Sequence, residues 1–312
     1  MDPEHEDIEE LHNQFPEIHP LILEDLRTPT IRPLVENYDH HLYMVIHFPA
    51  LPVNPVRSLI RERISKRLWR LTSNGVKEHK TISHEVDFIL MKDTVITVQY
   101  KEVPLLEEFL HECEDAEGAG RQYGKSPVHL LYYILHKLFS NALRELDQIQ
   151  IAIDDVEEEI FAGREKEILE DISLLKRHVL DFSRAVRPQH LTLQSLENQG
   201  IMLYGEQTRP FLAGLVGEYL KVWNLLENHK ETLDALYDTN NSRLVLKTNE
   251  IMRVFTIIAF VSFIPTAIAN IYGMNIANIP LANSPNAFFV VAALMLIITT
   301  LVYIILKWRK LV

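Results

Sequence analysis

Two stretches near the C-terminus carry no charged residue: VFTIIAFVSFIPTAIANIYGMN at 254–275 and AFFVVAALMLIITTLVYIIL at 287–306. Each holds about 20 residues, enough at 1.5 Å of rise per residue to cross a hydrocarbon core of about 30 Å as a helix. Both are expected to span a membrane, because a chain in lipid must satisfy its backbone polar groups internally. Lys247 and Arg253 precede the first span. Lys307, Arg309 and Lys310 follow the second, with Trp308 as an interfacial anchor, while the connecting loop 276–286 has no charge of either sign. Positive flanks stay on the cytoplasmic side, so a multi-pass protein of the inner or plasma membrane is expected, with both termini inside. Pro265 removes one backbone hydrogen bond within the first span and frees the carbonyl of Val261. That carbonyl either accepts from another partner at a tolerated kink or faces a wet, protein-lined cavity.

Residues 1–250 mix charged and apolar positions as soluble proteins do. The formal net charge of −12 weighs against a nucleic-acid partner, because neutralising phosphates requires an excess of Lys and Arg. An acidic soluble part suits a cationic partner, and it equally serves solubility. Cys113 is the only cysteine, which excludes an internal disulfide framework and any multi-cysteine metal centre. The 14 histidines, His40-His41 among them, do not fall into an H-x-x-x-H pattern, so no defined zinc site is read from them. P-loop, dinucleotide fingerprint and nucleophile elbow are all missing. An enzyme is therefore not expected, and conduction would be passive: two positive charges gain about 4.6 kcal/mol per 100 mV. Residues 1–10 are acidic and lack the apolar core of a signal peptide, so the C-terminal segments are expected to direct insertion.

The soluble part divides in two. Residues 1–125 read as a cytosolic α/β domain, with short helices in LHNQFPEIHPLILEDL, an apolar strand at 41–48 and a hairpin over 86–100 turning at Lys92-Asp93. Residues 51–80 hold Arg57, Arg61, Arg63, Lys66, Arg67 and Arg70, most simply a solvated helix face. From Pro104 the pattern is helical. Residues 126–208 read as an antiparallel helical hairpin, with a break at Ala162-Gly163 and an acidic tip at Asp154, Asp155, Glu157, Glu158 and Glu159. The tip is either a solvated helix end or a cation-attracting surface.

A third helix begins near Pro210 and meets no breaker before Pro265, a rod on the order of 80 Å long that is expected to run from cytosol into membrane, with 209–275 as stalk and first span. Along it, Asp238, Ser242, Val245, Asn249, Met252, Thr256, Ala259, Phe263, Thr266 and Asn270 recur with a period of 3.5. That spacing keeps one face toward a common axis. Polar groups inside a span are costly and face a bundle interior or water, so the stripe reads as a pore lining. Residues 276–286 would be the extracellular loop, and 287–312 the second span with a basic cytosolic tail. Two spans per chain cannot enclose a hydrated pore, so a channel requires a cyclic homo-oligomer.

The string Asn270-Ile271-Tyr272-Gly273-Met274-Asn275, closing the first of two C-terminal spans, resembles the signature of the CorA family of magnesium and divalent-cation transporters. Asn249-Glu250-Ile251-Met252-Arg253-Val254 looks like that family's run at the inner membrane boundary. Leu236-Tyr237-Asp238-Thr239-Asn240-Asn241-Ser242 matches a segment seen in part of the family, and residues 18–26 and 32–36 are similar to its N-terminal motifs. The resemblance implies an α+β membrane protein assembled as a funnel-shaped homopentamer in membrane lipid. Its long stalk and pore helix would continue into the first span, and Tyr272, Gly273, Met274 and Asn275 would form the selectivity filter. Mg2+ prefers oxygen ligands and dehydrates reluctantly, so rings of carbonyls and Asn amides can hold it through its water shell. Asn249 falls on a pore-lining position of the family, and Phe255 and Phe263 fall on hydrophobic constrictions. The family is also inhibited by Mg2+ on cytosolic carboxylates. Asp238 falls on a pore position and is the first candidate here, with Glu218 and Asp234 weaker ones.

Two departures bear on selectivity and fold. The outer loop IANIPLANSPNAF lacks the acidic run of many relatives, so weaker cation capture or altered selectivity is expected. The chain also begins close to the His19-Pro20-Leu21 motif, so an initial strand pair usual in the family is expected to be missing. A ZntB-like transporter of Zn2+, Co2+ or Ni2+ is the alternative within the class. A non-conducting, membrane-anchored helical scaffold is the alternative outside it.

Overall fold

The computed structural model describes residues 5–30, 32–49, 83–114, 123–274, 280 and 285–309. The basic segment 51–80, Asn275 and most of the outer loop lie outside the described residues. Two compact units are present, residues 1–237 and 238–312.

In the first unit, helices α1 (His5–Gln14) and α2 (Pro20–Asp25) precede strands β1 (Leu34–Tyr38), β2 (His41–Pro49), β3 (Ser83–Leu90) and β4 (Val95–Gln99). The four strands form an antiparallel sheet in sequence order. The tight β1–β2 turn places Asp39 at φ 56°, a left-handed conformation that Asp tolerates better than most residues. The expected hairpin turns where Lys92-Asp93 predicts, with Leu90 opposite Val95. β1 was not anticipated.

Strand β2 is apolar on both faces because both are covered. Leu42, Met44, Ile46 and Phe48 join Val86, Phe88 and Leu90 in the core beneath the long helices. Tyr43 and Val45 join Ile89 and Met91 against Ile8, Ile18, Ile22 and Leu26 of the N-terminal segment. Covering the second face also buries two carboxylates. Asp87 is fully buried and accepts from the Tyr43 and Tyr100 hydroxyls at 2.9 and 3.3 Å. Glu85 accepts from the amide and hydroxyl of Thr30 at 2.7 and 2.9 Å, and lies 3.5 Å from the His47 ring.

Burial first, and the charge of Glu85 second, push the Asp87 pKa up to about 7 from 3.8. The folded chain therefore holds a proton between about pH 4 and 7 that the unfolded chain has released, and the stability linked to it is lost as pH rises through 7. Asp87→Asn keeps an acceptor for the tyrosines and removes the titration. Its thermal midpoint in detergent should exceed the wild type's by several degrees at pH 8, by less at pH 5 and not at all below about pH 4; equal midpoints at pH 8 would contradict the assignment.

Helix α3 (Pro104–Glu114) leads to α4 (Pro127–Phe161), α5 (Glu165–Val186), α6 (Gln189–Tyr204) and, after a short 3-10 turn, α7 (Arg209–Tyr272). Ser126 caps α4 by accepting from the His129 amide at 3.3 Å, with Pro127 at the first helical position. The α4–α5 reversal falls at Ala162-Gly163 as expected, with Gly163 at φ 85°. Residues 189–204, inside the span read as hairpin, form a helix of their own seated on the sheet. The Gln189 side-chain amide donates to the carbonyl of His47, and the Tyr204 hydroxyl donates to that of Leu90 at 2.7 Å. Helix α7 packs parallel to α4: the His129 ring meets Phe211, His136 meets Glu218, and the His229 ring lies 3.0 Å from the Leu146 carbonyl. Their shared core extends along α7 to Leu236.

The second unit contains the remainder of α7 and helix α8 (Ala287–Trp308). α7 does not stop at Pro265 but continues to Tyr272.

Candidate pore and selectivity site

The membrane part of α7 has two distinct sides. Ile257, Val261, Ile264, Ile268 and Tyr272 are partly covered, at spacings of three and four residues. Asn249, Met252, Thr256, Ala259, Phe263, Thr266 and Asn270 are all exposed in the single chain. At 100° per residue the two sets lie on nearly opposite sides of the helix. The cleft lined by Ile257 and Leu306 identifies α8 as what covers the first side, so the polar stripe is the side that α8 leaves open.

The polarity of the stripe is uneven in strength. Thr256 and Thr266 donate their hydroxyls to the carbonyls of Met252 and Ser262, at 2.8 and 2.9 Å, which lets them sit in a span at modest cost. Asn249 and Asn270 have no hydrogen-bond partner among the described residues. An amide left in lipid costs several kcal/mol, so this side requires water or another copy of the chain. Between them, Met252, Phe255 and Phe263 are 58%, 71% and 67% exposed. Pro265 and Val261 lie on the partly covered side, so the carbonyl that the proline frees is away from the stripe.

The helix ends at the motif. The Gly273 amide donates to Ala269 at 2.8 Å and that of Met274 to Ile271 at 3.3 Å. A Cβ at Gly273 would lie 3.1 Å from the Ala269 carbonyl oxygen, so a side chain here would push against backbone. The last carbonyls of a long helix carry the negative end of its dipole, which makes the Gly273-Met274 end favourable to a cation. The sequence pattern alone did not single out this contribution. Asn275 follows directly and lies outside the described residues.

The candidate regulatory carboxylates sit apart. Glu218 contacts the His136 ring, and its second oxygen is buried without a partner. Asp234 is paired with Lys176 of α5, whose ammonium also lies 5.2 Å over the Tyr237 ring. Asp238, one turn further along, is exposed. Among the described residues no group of three or more His, Cys, Asp or Glu side chains could hold a metal ion within one chain.

The chain matches known proteins along nearly its whole length. The family described as "CorA-like Mg2+ transporter protein" matches residues 1–308. The chain belongs to the CorA family. CorA proteins are membrane transporters rather than enzymes. The chain is 26% identical over 304 residues to the cobalt/magnesium transport protein CorA of Thermotoga maritima, covering 97% of this chain and 80% of that one. It is 28% identical over 169 residues to the protein of the same name from Methanocaldococcus jannaschii, covering 54% and 53%. The complete structure of the CorA magnesium transporter from M. jannaschii superposes with a TM-score of 0.78 at 20% identity, covering 98% of this chain and 88% of that one. Full-length CmaX gives 0.68 at 17% identity, covering 98% and 85%. The expected CorA fold is therefore present: an N-terminal α/β domain, a long helix and a second apolar helix.

Proposed function

We propose that this chain assembles as a homopentamer around the α7 stripe and passes hydrated Mg2+ passively into the cell. The observation that carries the reading is the exposed stripe from Asn249 to Asn270, with its unpartnered amides, on the side of α7 that α8 leaves open. A cyclic assembly turns that side inward and converts a cost in lipid into a wet lining. The names of the Thermotoga and Methanocaldococcus relatives support Mg2+ or Co2+ as the cargo.

In this reading Tyr272, Gly273, Met274 and Asn275 form the outer ring. Backbone carbonyls at the negative ends of the helices and the Asn275 amides bind the ion through its water shell, loosely enough for release. Asn270, Thr266, Thr256 and Asn249 relay the hydrated ion, and Asp238 attracts it at the cytosolic end. Phe263, Phe255 and Met252 form an apolar constriction that gates by dewetting. Both termini lie in the cytosol, with 1–125 and 126–208 as cytosolic parts, 209–275 as stalk and first span, 276–286 outside and 287–312 as second span and tail.

Cytosolic Mg2+ closes the ring by bridging carboxylates of neighbouring copies, because among the described residues one chain offers no adequate cluster of its own. Asp238 is available for such a bridge, whereas Glu218 and Asp234 would first have to leave His136 and Lys176.

The test is ion-selective flux through the purified protein in proteoliposomes, comparing Mg2+ with Co2+, Ni2+ and Zn2+, with and without a proton gradient. Mg2+ entry that follows membrane potential and ignores the proton gradient is the expected result. Proton-driven Zn2+ entry without Mg2+ would establish the ZntB-like alternative, and no flux of any ion would establish the scaffold.

A further inference from the structure

At the inner ends of α7 and α8 a cleft of about 470 Å³ is lined by Arg253, Thr256, Ile257, Phe260 and Leu306. Its size falls within the range of small-molecule sites, and its chemistry is divided. Ile257, Phe260 and Leu306 give it an apolar wall reaching into the membrane, while Arg253 stands at the membrane boundary. Arg253 has no carboxylate partner among the described residues, although Glu250 is only three positions away on the same helix. Lys307 and Arg309, beside Leu306, are likewise without one. Thr256 already donates its hydroxyl to Met252, so the guanidinium is the strong donor of the site.

We propose that this cleft holds an anionic phospholipid of the cytoplasmic leaflet, with its phosphate on Arg253 and an acyl chain along Ile257, Phe260 and Leu306. A guanidinium fork matches phosphate geometry with two parallel hydrogen bonds, and the apolar wall gives the chain a place that free phosphate would leave unfilled. Charge complementarity excludes a second copy as the better occupant. Residues 239–312 hold six basic residues and a single acidic one, Glu250, although the whole chain carries −12. A second copy therefore brings the same positive surface, whereas an anionic leaflet neutralises it. The site lies on the flank of the polar stripe and shares Thr256 with it, so a bound lipid would touch the pore helix without entering the pore. The inference rests on the proposed topology, in which both helices span the membrane and both termini lie in the cytosol. It is independent of which ion is carried.

The experiment uses the full-length protein in vesicles doped with phosphatidylglycerol or phosphatidylcholine that bears a photoactivatable acyl chain, followed by peptide mapping. Labelling at 253–260 and near 306 is expected from phosphatidylglycerol and much less from phosphatidylcholine. Arg253→Gln should lower it about fivefold, the contribution of one cation near an anionic surface, and Arg253→Lys should retain most of it. Leu306→Trp, which fills the wall and keeps the charge, should lose it as well. Equal labelling in Arg253→Gln, equal labelling from both lipids, or competition by inorganic phosphate alone would overturn the proposal. So would efficient Phe260→Cys disulfides between copies in place of lipid labelling. Ion flux measured in the same vesicles separates failure here from failure of the transport reading.

Discussion

Asn275→Ala should reduce Mg2+ flux in proteoliposomes at least tenfold while leaving assembly intact. In the proposed filter the ion presented to the outer ring keeps its water shell, so each Asn275 amide would contribute a hydrogen bond to a metal-bound water rather than a bond to the metal. One such hydrogen bond is worth about 0.5–1.5 kcal/mol, and in a ring every copy loses its own. Loss from two copies already reaches the 1.4 kcal/mol that corresponds to a factor of ten. Gly273→Ala should act in the same direction by another route, since its Cβ would lie 3.1 Å from the Ala269 carbonyl oxygen and shift the last turn on which the ring is built. Wild-type flux in Asn275→Ala, with a normal elution volume, would remove the tripeptide from the filter.

Phe263→Asn should do the reverse and give a leak. Phe263 is on the exposed stripe, 67% accessible in the single chain, and a ring of such side chains excludes water from a narrow pore. In the proposed pore, replacing each phenyl with an amide wets the constriction, so flux should persist at the millimolar internal Mg2+ that the proposed gating would use to close the wild type. A rise of at least about tenfold is expected if closure holds the open state below one part in ten, which corresponds to 1.4 kcal/mol. Unchanged inhibition in Phe263→Asn would move the gate elsewhere, and Met252 and Phe255 would be the next positions to examine.

Legibility followed how much each feature depends on partners distant in sequence. The two spans and the stripe were readable because lipid enforces the pattern locally: charge is missing from 254–275 and 287–306, and Asn249, Thr256, Phe263 and Asn270 share one helical face. The β3–β4 hairpin was readable from its alternation. The burial of Asp87 is not readable from that alternation, because Val86-Asp87-Phe88 has the pattern of a strand with one wet face, and only the packing of α1 and α2 makes that face dry. β1 is short and carries Glu36, so it lacked an apolar signature, although Asp39-His40 marked its turn. α6 escaped notice because its sequence, QHLTLQSLENQGIMLY, mixes polar and apolar positions without a clean stripe. It is fixed by Leu193 and Leu196 in the core and by polar anchors, Gln189 to His47 and Tyr204 to Leu90. The ion pair of Asp234 with Lys176 spans two helices, and no pattern within α7 could reveal it.

The unbroken course of α7 has a consequence for how this chain can vary. Leu226, Leu233 and Leu236 set its angular position in the core of the first unit, and Asn249 begins the open stripe only 13 residues beyond Leu236. With no break in the helix, the phase between those two faces is counted in residues. One residue added or removed there turns everything downstream by about 100°, so in the proposed pore the polar face would meet lipid and the apolar flank would meet the axis. Substitutions can drift in this stretch far more freely than its length can. The spacing between core and pore is thus a kind of gearing, in which the number of residues matters as much as their identity.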